Sequence, residues 1–294
     1  MAVNRPKIIL LAPGADPFRD RTCRQWGALH ETLTPLRSEC GRGQVHAARV
    51  LSRRLRAAFA IIIKMEKNSV LKKIGRDLRG LTRLLGPIRS MDVTVKLWEE
   101  RLRAMPSARQ LLLGPVAGRL RAKRKGLRKK IRTDDHIPAL QRVTVAKLDR
   151  LLRTLPPENF SDPFHRKFGK ATRKTEATRR KFSEDPTLDK LHELRIGLKK
   201  WRYLAEIRSS CFSPLPKSFF LKLKGFQDEL GALHDLDVLR EELRELNHRK
   251  KVGKKTKTAL RAAQADFRKE IAEGVRRFYA RAGELESMLT LRAP

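Results

Sequence analysis

Aromatic residues make up only 6% of this 294-residue sequence. Proteins that grip single-stranded nucleic acid stack bases on aromatic side chains, so the scarcity weighs against that mode and leaves contact with a duplex backbone open. Cysteine is scarce too. Cys23, Cys40 and Cys211 form no Cys-x-x-Cys pair and no even-numbered framework, which fits a reducing, cytoplasmic setting and unreactive thiols. The apolar run Ile8-Ile9-Leu10-Leu11-Ala12-Pro13 is too short to span a bilayer and lacks the apolar stretch and cleavage site of a signal peptide. Residues 1–19 are therefore expected to form an extended tail. Acidic residues are the fourth shortage: 32 Asp and Glu stand against 68 Lys and Arg, a formal net charge of +36. A compact body this positive repels itself and attracts anions, and the candidates are nucleic acid, anionic lipid and polyphosphate.

What is present reads as helix. Hydrophobic residues make up 40% of the chain, enough for a core. Beyond residue 20, Ala, Leu, Arg, Lys and Glu dominate, with apolar residues at three- and four-residue spacing and no alternating β-branched run. The expected fold class is all-α. Breaks are expected at Gly41-Arg42-Gly43, Gly86-Pro87, Met105-Pro106, Gly114-Pro115, Asp134 to Pro138, Pro156-Pro157, Asp185-Pro186 and Ser213 to Pro216.

The chain also repeats itself. VHAARVLSRRLRAAF begins at Val45 and LHELRIGLKKWRYLA at Leu191, which sets His46 and His192 146 residues apart. LLGPIRSMDV, from Leu84, is answered by ELGALHDLDV, from Glu229, with Gly86 and Gly231 145 apart, as are Asp92 and Asp237. Two blocks in one order at nearly one offset predict a duplicated bundle rather than a solenoid. We expect two antiparallel four-helix bundles, residues 20–150 and 155–290 of a single domain spanning 20–294, related by a pseudo-two-fold axis.

On a helical wheel Arg49, Arg53 and Arg56 share an arc of roughly 80° with His46. His192, Arg195, Lys199 and Arg202 repeat the spacing. Leu51, Leu55, Ala58 and Ile62, answered by Leu194, Leu198, Trp201 and Leu204, make the opposite, core-facing side. A narrower apolar strip (Val50, Ala57 and Ile61; Ile196, Tyr203 and Ile207) borders the other flank. Arg54 and Lys200 are expected to point to solvent. Like charges stacked at these spacings repel, with no acid at the matched positions and only Glu206 approaching the arc. A stripe of cations in such a setting calls for an anion, and the planar guanidinium fork suits phosphate.

At these residues the sequence resembles the CHAD family, the conserved-histidine α-helical domains. Val45 to Arg56 is similar to its first signature and His192 to Tyr203 to its second. Leu85, Gly86, Arg89, Asp92 and Val93 fit the Leu-Gly-x-x-Arg-Asp-x-Asp-Val block, with Ser90 in place of an acid; in the second copy His234 replaces the arginine, while Asp235 and Asp237 keep both acids. The resemblance covers roughly residues 20 to 290. It implies paired four-helix bundles whose basic residues line a central groove that binds inorganic polyphosphate without cofactor or catalysis. Carried over by position, His46, Arg49, Arg53, Arg56, His192, Arg195, Lys199 and Arg202 form that lining, joined by Arg79 and Lys224 and by the matched pair Lys72 and Lys217. Arg119, Lys123, Arg166, Lys170 and Arg173, on other basic helices, are candidates to extend it. The Glu-x-Glu-x-Lys strand of the triphosphate-tunnel domain that accompanies many relatives does not occur, so binding rather than hydrolysis is expected.

Three rivals remain on the sequence alone. A nucleic-acid-binding protein is permitted by the charge, although no zinc-finger, RNA-recognition or clear helix-turn-helix motif occurs. A metal-dependent polyphosphate or triphosphate hydrolase would need ligands beyond His234-Asp235. His46 and His192 lie among cations with no ligand at i+4, so no metal is expected there, and Asp92 and Asp237 read as cap or ion-pair residues. The stretch Arg119 to Arg132 could lie on a bilayer surface, but its density of cations is more simply an outward or polyphosphate-gathering face. Oligomeric state, chain-length preference and association with polyphosphate granules have no motif to decide them.

Overall fold

The computed structural model describes residues 16–66, 68–155, 160–249 and 252–290. Among these the chain is all helix with no strand. The elements are α1 (Pro17–Ser38), α2 (Arg42–Met65), α3 (Ser69–Arg103), α4 (Ser107–Lys129), α5 (His136–Gln141), α6 (Val145–Arg153), α7 (Ser161–Glu184), α8 (Leu188–Cys211), α9 (Lys217–Asn247), α10 (Lys254–Arg281) and α11 (Glu284–Leu289). No helix among the described residues is long and apolar enough to cross a membrane.

Local chemistry explains many of the helix starts. Asp16 accepts from the backbone N–H groups of Phe18 and Arg19, both at 3.0 Å, and Pro17 fills the first helical position, where its missing N–H costs nothing. Asn68 caps α3 through Val70 and Leu71, and Thr144 and Thr187 cap α6 and α8. Helix α1 thus begins inside the stretch expected as tail: Phe18 is buried in the core, so residues 17–19 are structured. Residues 1–15 lie outside the described chain, as do Pro156 and Pro157.

Two expected breaks are not breaks. Helix α3 runs through Gly86-Pro87 and α4 through Gly114-Pro115. A proline inside a helix costs about 3 kcal/mol, and here apolar residues on both sides of it are anchored in the core. Leu81, Leu85, Ile88 and Met91 of α3 are buried, as are Leu113, Val116 and Ala117 of α4. The breaks at residues 41, 105–106, 185–186 and 213–216 do separate helices, and residues 130–135 separate α4 from α5, with Pro138 inside α5.

Consecutive long helices pack on one another: α1 on α2, α2 on α3, α3 on α4, and then α7 on α8, α8 on α9, α9 on α10. Between the two sets, α2 meets α8, α3 meets α9 and α4 meets α10, while α1 reaches α8 and α2 reaches α7. Buried aliphatic and aromatic residues of every one of these helices form one continuous core. Burying each large apolar side chain contributes roughly 1.5–3 kcal/mol. The linker helices are pinned by polar contacts. Trp26 donates to the Val143 carbonyl at 2.7 Å, and His136 meets Asp77 at 3.1 Å. The His136 ring lies against Gly80, where a Cβ would come within 2.1 Å of it; no larger residue fits there.

The candidate polyanion site

The site is built on α2 and α8, whose core faces were legible in the spacing. Leu55, Ala58 and Ile62 on α2, and Leu194, Leu198, Trp201 and Leu204 on α8, are buried, while Leu51 packs partly buried against them. Fixing those faces turns the two rows of cations toward the seam where α2 and α8 pack.

Arg49 lies along α3. One of its terminal nitrogens donates to the Thr82 carbonyl at 3.0 Å, and a Cβ added at Gly86 would stand 3.3 Å from it. The glycine of the LLGP segment thus leaves room for this guanidinium. The Arg49 pKa is pushed down to about 10, first by burial and next by Arg53, with Arg195 and Arg89 adding to the effect. Arg195, across the seam, is lowered by burial and by Arg53, against which Asp235 works. Its buried Nε has no hydrogen-bond partner, and the space at Gly231, the counterpart of Gly86, is open. Lys199 is pushed down to about 7, first by burial, then by Arg195 and Arg53. Arg49, Arg53, Arg195 and Lys199 therefore form one cluster drawn from both helices. Arg53 also sits over the Tyr203 ring, 5.7 Å from its centroid.

The rest of the lining divides. Arg56 joins the cluster beside Arg53, Arg79 and Arg83, and burial together with those cations lowers its pKa. Arg202 does not share that freedom: it donates to Glu206 at 3.0 Å and to Gln227 at 2.7 Å. His46 is exposed on α2, its pKa lowered by burial of part of the ring and by Arg89 and Arg49. His192 is lowered by burial and then by Arg195, and its Nδ1 meets Nδ1 of His234 at 3.1 Å. Burial, Arg195, His192 and Lys199 push His234 down to about 3.

Arg54 does not point to solvent as expected. It bonds Glu206 across the seam at 2.9 Å, because the packing of α2 against α8 brings the acid within reach. Lys200 is exposed. Lys224 is exposed and paired with Asp228 at 2.6 Å. Lys72 is half-buried in the first turn of α3 and Lys217 is the exposed first residue of α9; neither side chain makes a hydrogen bond among the described residues. Lys123 is held by Glu242 at 2.6 Å and Glu245 at 3.0 Å. With Arg119 it lines a cavity of about 280 Å³ between α4 and α9. Arg166 lies 3.7 Å from Asp162, and Arg173 is exposed near Gly169. Lys170 is exposed on α7 and acts on Lys167 of the same helix. Asp92 is buried and paired with Arg124, and Asp237 pairs with Arg240 at 2.8 Å, the ion-pair roles expected of them.

Four residues outside the expected lining join the cluster: Arg83, Arg89, His234 and Asp235. The repeated Leu-Gly block contains three of them, Arg89, His234 and Asp235. Arg89 and His234 occupy the same place in it, and each acts on the signature histidine of its own half. Asp235 is the acid that acts on Arg195, Lys199 and Arg89, and burial raises its own pKa. A larger cavity, about 330 Å³, lies between α3, α9 and α10 and includes Asp235 in its lining; it is not formed by the two histidine helices. Among the described residues, no group of three or more His, Cys, Asp or Glu side chains is close enough to hold a metal ion.

Comparison with known proteins bears on the fold and the family. The chain resembles the crystal structure of the CHAD domain from the plant Ricinus communis, with a TM-score of 0.65 and 20% identity over 94% of this chain and 96% of that one. It also resembles PptA from Streptomyces chartreusis, with a TM-score of 0.70 and 16% identity over 91% and 98% of the two chains. No curated protein matches. The CHAD domain family matches residues 25–244, and with three-quarters of its length inside that match this chain belongs to the CHAD family.

Proposed function

We propose that this protein binds inorganic polyphosphate at the seam between α2 and α8 and does no chemistry on it. The observation that carries the reading is the packing of α2 on α8 with Arg53 over the Tyr203 ring, which brings Arg53 close enough to act on Arg49, Arg195 and Lys199, and Arg195 close enough to act on Arg49 across the seam. Like charges so close, and partly out of water, are unfavourable unless an anion joins them. Asp235 supplies one negative charge to this cluster. A phosphate chain offers anionic oxygens in a row, and arginine binds them through two parallel hydrogen bonds. The orphaned Nε of Arg195 is a donor such an oxygen would satisfy.

Two four-helix repeats, residues 20–150 and 155–290, related by a pseudo-two-fold axis fit this reading. Each supplies one histidine helix and one row of cations. The paired packing of α2 with α8, α3 with α9 and α4 with α10 supports that arrangement. The driving force is electrostatic: side-chain cations replace the counterions of the polyanion, and the released ions gain entropy.

The test is the double variant Arg49→Glu/Arg195→Glu. Polyphosphate affinity should fall by at least about a hundredfold, as expected for several lost charge-assisted contacts, while the helical circular dichroism signal stays unchanged. Unchanged binding at moderate salt refutes the assignment. Competition between long-chain polyphosphate and duplex DNA separates this reading from nucleic-acid binding, and orthophosphate release with Mg²⁺ or Mn²⁺ tests for hydrolysis.

A further inference from the structure

The two ends of the α2–α8 seam differ in charge. At one end stands Glu206 of α8, which receives Arg54 at 2.9 Å, Arg202 at 3.0 Å and Arg21 of α1 at 3.7 Å. Helices α2 and α8 match end to end, Arg42 with Leu188 and Met65 with Cys211, at the offset that separates the two histidines. At that offset the counterpart of Glu206 is Ala60, and the counterparts of Arg21 and Arg24 on α1 are Lys167 and Lys170 on α7. The opposite end therefore keeps the cations and lacks the acid.

Lys64 completes that end. It lies in the last turn of α2, about five turns beyond His46 and so on the same bearing as the basic stripe, about 27 Å further along the helix. Helix α7 packs on α2, with its Lys167 near Lys64. Lys167 is half-buried, and Lys170 follows it at helical i+3 spacing. Lys64 and Lys170 are both close enough to disfavour the charge on Lys167, after burial itself. Among the described residues no acid forms an ion pair with any of the three. The carbonyls at the end of α2 carry only about half a negative charge, too little to neutralise this group.

We infer that Lys64, Lys167 and Lys170 form a second anion-binding station, which carries a long polyphosphate chain out of the central site at the α7 end only. The inference rests on the proposed function and adds a direction to it. The chain lies across Arg195, Lys199, Arg49, Arg53 and Arg56 and continues past Ala60 onto the lysines. At the other end Glu206 repels it and occupies the cations that would otherwise hold it. Long chains gain contacts that short ones cannot reach.

Two variants test this beside the wild-type chain: Lys64→Ala/Lys167→Ala/Lys170→Ala, and Ala60→Glu, which installs an acid at the counterpart of Glu206. Each is titrated with tripolyphosphate and with long-chain polyphosphate at several salt concentrations, with thermal melting as the folding control. Tripolyphosphate binding should stay within about twofold of wild type, whereas long-chain affinity should drop about tenfold or more in both variants. The triple variant should also lose about 2 from its salt-dependence slope, by analogy with single strands at about 0.7 per neutralised phosphate. Long-chain affinity and slope equal to wild type overturn the station. Equal weakening toward both ligands places the lysines in the central site and overturns it as well. A wild-type chain that binds neither ligand overturns the central reading instead.

Discussion

His192 and His234 meet Nδ1 to Nδ1 at 3.1 Å, with ring centroids 4.7 Å apart. Such a contact holds only while one imidazole donates and the other accepts, so the pair carries one proton between the facing nitrogens. Burial, and after it the neighbouring Arg195 and Lys199, keep it from gaining a second, since all three lower the two histidines. In the free protein, long-range ¹⁵N–¹H correlation should find one ring protonated at Nδ1 and the other at Nε2. Saturating polyphosphate should convert both to imidazolium and abolish the contact, because two N–H groups cannot face each other. Unchanged tautomers in the complex show that the histidines do not sense the ligand.

Lys199 gives the pH dependence its sign. Its amine is lowered from the ordinary value of 10.5 to about 7, by burial first and by Arg195, Arg53 and Arg49, with Asp235 opposing. Between those values the unfolded chain holds a proton that the folded chain has lost, so the free protein gains stability as pH rises through this window. A bound polyanion favours the charged amine and reverses the preference. Binding at about pH 8 should therefore take up about one proton, measured as a dependence of calorimetric enthalpy on the buffer's ionisation enthalpy. Affinity should fall as pH rises from 7 toward 10, and Lys199→Met should flatten that fall. An enthalpy independent of buffer refutes the coupling.

Glu206 holds three arginines, Arg21, Arg54 and Arg202, in ion pairs, and on the proposed reading it withholds them from the ligand. Replacing it by Gln removes the charge that receives Arg21, Arg54 and Arg202. The fold should lose about 1.5–3 kcal/mol in denaturant unfolding, the range for hydrogen bonds to charged groups. Long-chain polyphosphate should bind the variant more tightly and with a steeper salt dependence, since the freed cations become available. Tighter binding without any loss of stability would show that the ion pairs are structurally idle.

Asp92 holds α3 to α4. It is 2% exposed and paired with Arg124, and its second oxygen has no partner. Asp92→Ala leaves a part-buried guanidinium without its acid, which costs about 3–5 kcal/mol for a buried pair. Urea unfolding should show that loss. A change below about 1 kcal/mol, the range of exposed pairs, would place the pair functionally at the surface.

Much of the architecture was legible because it rests on periodicity. The apolar positions of α2 and α8 recur at helical spacing, and the burial of Leu55, Ala58, Leu194, Leu198 and Trp201 follows from it. Helix boundaries marked by turn residues, such as Met105-Pro106, Asp185-Pro186 and Ser213 to Pro216, were readable for the same local reason, whereas the capped starts at Asp16 and Asn68 were not marked. Gly86-Pro87 and Gly114-Pro115 misled, because tertiary burial of both flanks outweighs a local breaker. The cation rows were visible, but their neighbours were not. Arg54 finds Glu206, 152 residues away, and Lys123 finds Glu242 and Glu245. Such long-range pairs leave no trace in the spacing of one helix. They decide which cations are spent on the protein itself, as with Arg202, and which stay free, as with Arg56.

Arg49 arrives at its task already posed. Its guanidinium is braced on the Thr82 carbonyl at 3.0 Å and lies over the bare backbone of Gly86. A free arginine side chain forfeits rotamer entropy when it clamps a ligand, on the order of 0.5–1.5 kcal/mol. Here that loss is met during folding, before any ligand appears. Gly86→Ala, which adds a methyl group where the guanidinium rests, would unsettle the brace and hand the cost back to association.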